Sequence, residues 1–143
     1  MSDQSRNAET APSRLARPLL LGIVVIVAVA SGAGRYLSLR GSDRAMAKAL
    51  TGGDPDRAPA LLRRYGCGGC HTISGLSGAD GKVAPPLEGL RHRIYIAGKV
   101  QNTPENLIRW IVSPQALAPG SAMPQTGISE SEARDVADFL YSQ

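Results

Sequence analysis

Aromatic side chains are scarce in this chain. Phe, Trp and Tyr together make up 4% of 143 residues, with a single Phe and a single Trp. That is few for a domain core, so either the core is marginal or a group that is not protein fills its centre. Length excludes a second full-sized domain. There is no internal repeat and no long low-complexity segment. Net charge is also missing from most of the chain. The overall excess of 16 basic over 12 acidic residues gives +4 and a pI near 9.4, which by itself invites a nucleic-acid reading. Seven of the basic and three of the acidic residues fall within 1–53, leaving nine of each in 54–143. The charge therefore flanks an N-terminal apolar run, the remainder is neutral, and no nucleic-acid partner is expected.

That run extends from Pro18 to Gly34 without a charge, and its centre reads LLLGIVVIVAVA. A surface helix is not apolar all round. Seventeen helical residues span about 26 Å, close to the ~30 Å of a hydrocarbon core. Tyr36, Leu37 and Leu39 can lengthen the span while Arg35 snorkels to the interface. A transmembrane anchor over 18–39 follows, with 1–17 on the cytoplasmic side. A signal sequence remains the alternative, because Arg14 and Arg17 precede the run and Ala28-Val29-Ala30 is a small-residue cleavage pattern. Either reading exports what comes next. Residues 40–53 read as a linker in which DRAMAKAL (Asp43–Leu50) has helix formers, ending at Thr51-Gly52-Gly53.

The chain's two cysteines stand together in Cys67-Gly68-Gly69-Cys70-His71. This is the C-x-x-C-H pattern of covalent haem attachment. Two thiols at this spacing can add to the two vinyl groups of one porphyrin, and the adjoining imidazole can ligate the iron from the proximal side. Gly68 and Gly69 would let the backbone lie close to the macrocycle. A structural disulfide, a redox dithiol, or a zinc site of Cys67, Cys70, His71 and His92 are the competing readings. The first leaves His71 unexplained and the second lacks a βαβ context. A sixth iron ligand is sought among Met123 and His92. Met123 sits in Ser121-Ala122-Met123-Pro124, a loop position and not a helix core, 52 residues beyond His71. His92 lies in a solvated basic run. A His/Met pair saturates the iron and suits electron transfer over oxygen activation. With no open iron site and no acid–base cluster, the chain reads as an electron carrier and not an enzyme.

Three helices are predicted. The first covers roughly 57–66, opening near Asp54-Pro55-Asp56. The second covers 104–112 behind Thr103-Pro104-Glu105 and stops at Ser113-Pro114. The third opens on the capping box Ser129-x-x-Glu132 and runs to Tyr141. Residues 72–101 are expected as loop with a short β-pair near 95–101.

These features resemble the class I cytochromes c, over about residues 54–143. Within that group the run Asn102-Thr103-Pro104-Glu105-Asn106-Leu107, Trp110-Ile111, Pro114-Gln115, Pro119-Gly120 and Met123-Pro124 is similar to the cytochrome c domain fused to subunit II of some haem-copper oxidases. The resemblance implies a mainly α fold, three or more helices and loops around one haem c, after the single anchor. It implies thioether links at Cys67 and Cys70, axial ligands at His71 and Met123, and Pro85 as the carbonyl that receives the His71 Nδ1 proton. Ala84 stands where the family usually has Gly before that proline. It implies that Trp110 meets a haem propionate, although plain core packing accounts for Trp110 as well, and Arg91, Arg93 and Lys99 are candidates to neutralise propionates. The function expected is single-electron carriage in a respiratory chain, from a quinol–cytochrome c reductase to a terminal oxidase. The location expected is a single-pass protein of the bacterial inner membrane with its haem domain in the periplasm. The alternatives are a fixed haem subunit of an oxidase or dehydrogenase complex, and a haem-based sensor of small ligands.

Overall fold

A computed structural model describes residues 16–143, so the expected cytoplasmic segment 1–17 lies outside the described residues save for its last two. The chain divides into two units, up to Ser38 and from Leu39 onward. The first is helical, and its apolar side chains are exposed all round, Leu19, Leu21, Ile26 and Val29 among them. The described residues contain one helix long and apolar enough to cross a membrane, and it is this one. It belongs to α1, Ala16–Thr51.

The expected linker over 40–53 is not a coil: α1 continues to Thr51. The reason is tertiary as well as local. Ala47 and Thr51 are buried at 1% exposure each, and Asp43 accepts from the Arg91 guanidinium at 2.8 Å. Gly52 then ends the helix in the left-handed region (φ +69°), its N–H bonded to Lys48 O at 2.9 Å. That is the usual glycine stop.

The second unit is built on α2 (Ala58–Arg64), α3 (Cys67–Cys70), α4 (Pro104–Val112), α5 (Pro114–Leu117) and α6 (Glu130–Tyr141). The helix expected from about 57 starts at Ala58, because Pro59 must occupy its first turn. Asp54-Pro55-Asp56 forms the preceding turn instead, with Arg57 N–H bonded to Asp54 O at 3.2 Å. Helix α4 has the expected bounds. The Thr103 hydroxyl accepts the Asn106 N–H at 3.2 Å, and Pro104 fills the first turn where its missing donor costs nothing. The sequence reading stops there, but the chain resumes as the short α5. Helix α6 opens on the capping box as expected, with both reciprocal bonds formed at Ser129 and Glu132.

α6 packs against both α2 and α4. Ala58 of α2 and Ala133 and Ala137 of α6 have no exposed surface, and small side chains of this kind allow close helix approach. The face Leu107, Ile108, Trp110 and Ile111 of α4 completes that core. Gly53 belongs to the same close packing, since a Cβ there would lie 2.2 Å from Arg134 O. Where α6 ends, the buried Tyr141 donates to Asn102 Oδ1 at 2.7 Å, and Asn102 Nδ2 donates to the carbonyls of Leu90 and Arg93. Burial, and more weakly Glu105, push the Tyr141 phenol up to about 12. This pair ties α6 to the 3-10 turn Leu90–His92 and to the β-pair, which is present as β1 (Tyr95–Ile96) and β2 (Val100–Gln101).

The turn of that hairpin contains the one non-glycine residue with positive φ among those described, Ala97 at +50°. Its Cβ crowds the following carbonyl in this conformation. Ala97→Gly should therefore raise stability by about 0.5–1 kcal/mol, read from denaturant unfolding. An unchanged or lower midpoint would mean that the turn is not strained.

Candidate functional site

The turn Cys67–Cys70 is a single helical revolution entered through Gly66 in the left-handed region and closed by the His71 N–H on Cys67 O at 3.0 Å. Spacing of three in a helix puts the two side chains on one face. Both cysteines are free thiols and half-buried. Burial pushes the Cys67 thiol above its ordinary value, and the neighbouring Cys70 adds to the effect. His71 leaves the turn in extended conformation. Its Nδ1 lies 2.7 Å from Pro85 O. A carbonyl only accepts, so Nδ1 carries the hydrogen, and in the neutral imidazole the lone pair is then on Nε2. The structure thus brings together four residues singled out from sequence, namely Cys67, Cys70, His71 and Pro85, despite Ala84 in the usual glycine position.

The Pro85 segment is held by backbone bonds to the attachment turn. Gly81 N–H donates to Gly68 O at 3.0 Å, Ala84 N–H to Cys70 O at 3.0 Å and Leu87 N–H to Thr72 O at 2.9 Å. Contact here is so close that a Cβ on Gly81 would lie 2.5 Å from the Gly69 carbonyl carbon. Gly68 also makes a close approach within the chain. A Cβ there would meet Ala79 at 2.8 Å, whereas Gly69 faces open space. Gly81 and Ala79 were not legible as site residues, since nothing in Ala79-Asp80-Gly81 distinguishes them from an ordinary turn.

Met123 stands on the loop after α5, half-buried and packed against the core. The Gln115 carboxamide donates to its carbonyl oxygen at 2.5 Å, and the Ser121 hydroxyl accepts its N–H at 3.3 Å. Gln115 is a second residue that sequence patterns alone do not reveal, because its partner is backbone. Trp110 is 7% exposed on α4 and joins the helical core. His92 is exposed on the 3-10 turn. Of the basic residues, Arg91 is engaged by Asp43, and Arg93 donates to the carbonyls of Pro86 and Glu88. Among the described residues no group of three or more His, Cys, Asp or Glu is placed to hold a metal ion.

Two free thiols on one face of a turn, followed by an imidazole anchored through Nδ1, fit a porphyrin with two reactive vinyl groups and an iron. A family model described as Cytochrome c matches residues 56–143. The chain belongs to the cytochrome c family. It is 36% identical over 83 residues to cytochrome c oxidase subunit 2 of Alkalihalophilus pseudofirmus, across 57% of this chain and 23% of that protein. It is 34% identical over 76 residues to the cytochrome c-type cyt cy of Rhodobacter capsulatus, across 48% of this chain and 38% of that one. The chain thus spans a minor part of each of these curated relatives. No solved structure matches it. This mainly helical chain, as a member of that family, binds covalent haem c with its iron.

Gly81→Ala should force the attachment turn away from the Pro85 segment, at a cost of about 1–3 kcal/mol for overpacking. Haem content per polypeptide should fall and the melting temperature with it. Normal loading in a fully stable Gly81→Ala protein would refute the close contact.

Proposed function

We propose that this chain is a membrane-anchored mono-haem cytochrome carrying single electrons from a quinol–cytochrome c reductase to a terminal oxidase. Its haem domain, taken as 54–143, would work in the periplasm, held at the bacterial inner membrane by an anchor at 18–39. The observation that carries this reading is the His71 Nδ1–Pro85 O bond beside two free thiols. In it Cys67 and Cys70 form the thioether links and His71 and Met123 are the axial ligands. The apolar helix supports the anchor, and the two relatives, by their names, support the respiratory setting.

The residues act by positioning and electrostatics. The bond to Pro85 O fixes the His71 tautomer and ring plane and makes Nε2 more basic. The Met123 thioether is soft and neutral and favours the reduced metal, which raises the potential. Bound haem supplies a one-electron Fe(III)/Fe(II) couple. With both axial positions filled by protein, no proton or substrate has to move with the electron, and the chain itself is not an enzyme. An anchor confines diffusion to the membrane plane and raises the effective concentration near membrane partners. In this reading Trp110 lies near a propionate.

Met123→Ala should abolish the weak Met–Fe(III) charge-transfer band and lower the reduction potential, while His92→Ala leaves both unchanged. The reverse pattern would move the distal ligand to His92. Haem should stay with the polypeptide through acid–organic extraction, and loss of colour there would sink the thioether assignment.

A second reading, a fixed subunit of an oxidase complex, is favoured by the likeness to an oxidase subunit. Vesicles holding the full chain with a quinol–cytochrome c reductase and an oxidase distinguish the two. A carrier links the two complexes while remaining separable from both in detergent. A fixed subunit co-purifies with one of them through every step.

A further inference from the structure

The end of α1 meets α6 through a hydroxyl that has more partners than hydrogens. Thr51 Oγ1 lies 2.9 Å from Ala47 O and 3.1 Å from Asp138 Oδ2, and it accepts the Gly53 N–H at 3.2 Å. Thr51 and Asp138 are buried, at 1% and 0% exposure. A hydroxyl has one hydrogen and two lone pairs. Gly53 takes one lone pair. With Asp138 ionised, the hydroxyl hydrogen goes to Oδ2, since Ala47 O already accepts the helical Thr51 N–H, and Oδ1 is left as a buried anionic oxygen without a partner. With Asp138 protonated at Oδ2, its own O–H donates to Thr51 Oγ1, and Thr51 donates to Ala47 O. Every one of these groups is then satisfied. Asp138 Oδ1 has no hydrogen-bond partner, and that costs far less on a neutral carboxyl than on a buried anion.

The surrounding charges divide. Lys48 on α1 favours the anion, while Asp135 on α6 and Asp54 ahead of α2 oppose it. Asp135 is already committed, to the Asp54 N–H at 2.8 Å and to Arg57 Nε at 3.3 Å. Burial is the largest influence and pushes the Asp138 carboxyl above its ordinary value, against the Thr51 hydroxyl bond, which by itself favours the anion, and against Lys48.

We propose that Asp138 is a proton-operated latch, holding the last turns of α1 on α6 through Thr51 when protonated and loosening them when it ionises. Because the folded protein binds this proton more tightly than the unfolded chain, the added stability is complete below the ordinary carboxylate range near 4. It is lost as pH rises through the folded value. Two further contacts hold the same segment, Asp43 to Arg91 at 2.8 Å and the Arg134 guanidinium to Thr51 O at 3.2 Å. Ionisation therefore loosens the helix end without unfolding the unit.

Hydrogen exchange of the haem-loaded full chain in phosphatidylcholine nanodiscs, corrected for intrinsic rates, tests this from about pH 3.5, just below the ordinary carboxylate value, to about pH 9. Protection of the amides of 48–53 should fall about tenfold or more through a one-proton step. Asp138→Asn, which keeps a neutral donor at this position, should hold protection high and flat. A wild-type profile without a step, or the same step in Asp138→Asn, would overturn the latch. Carbon-13 titration of the Asp138 carboxyl decides the matter even if the variant does not fold. A midpoint above the ordinary range supports the proposal, and one at or below it ends the proposal.

Discussion

The bond from His71 Nδ1 to Pro85 O is the constraint on which the site depends. It joins two stretches of chain fourteen residues apart, and it works only if both backbones are already close. The three backbone bonds from 81, 84 and 87 to the attachment turn supply that closeness, and the absence of a side chain at Gly81 permits it. Two prolines in succession, Pro85 and Pro86, lie outside any helix or strand, so their carbonyls have no ladder partner and serve as acceptors for side chains. One takes the imidazole and the other takes the Arg93 guanidinium. A segment poor in donors thus becomes the place where donors from elsewhere converge.

Around this clasp the helices act as a frame. α6 is the member that both α2 and α4 lean on, and its ends are secured by different chemistry. The start is a polar box at the surface. There Tyr65 donates to Glu132 at 2.9 Å, and the Ser129 hydroxyl and backbone, with that phenol, hold the Glu132 carboxyl below its ordinary value. The finish is a buried phenol on Asn102. Of the surface ion pairs, Arg64 to Glu132 at 3.5 Å is exposed on its basic side and contributes little. The frame's rigidity rests on apolar contact and on hydrogen bonds that water cannot reach.

How much of this was legible in the sequence depends on whether a feature is local. Helix α4 and the capping box of α6 were readable because Thr103-Pro104 and Ser129-x-x-Glu132 satisfy backbone donors within a few residues. The attachment turn was readable because its chemistry demands adjacency. The continuation of α1 to Thr51 was not, since it depends on Ala47 and Thr51 finding burial against residues more than eighty positions away. Gln115, Gly81 and Asp138 escaped notice for a similar reason. Each is defined by a backbone or a hydroxyl brought near by the fold, and such partners leave no pattern in composition or spacing.

The Gln115 carboxamide on the Met123 carbonyl has a kinetic meaning. It anchors the backbone of that loop from a neighbouring helix, independently of anything the Met123 sulphur does. A thioether on an anchored backbone searches only its own few torsions. If Met123 holds the iron as proposed, this anchored backbone would keep its sulphur within reach of the metal whenever that bond opened. Resistance to competing small molecules would then reside less in the strength of one metal–sulphur bond than in an amide two turns of chain away.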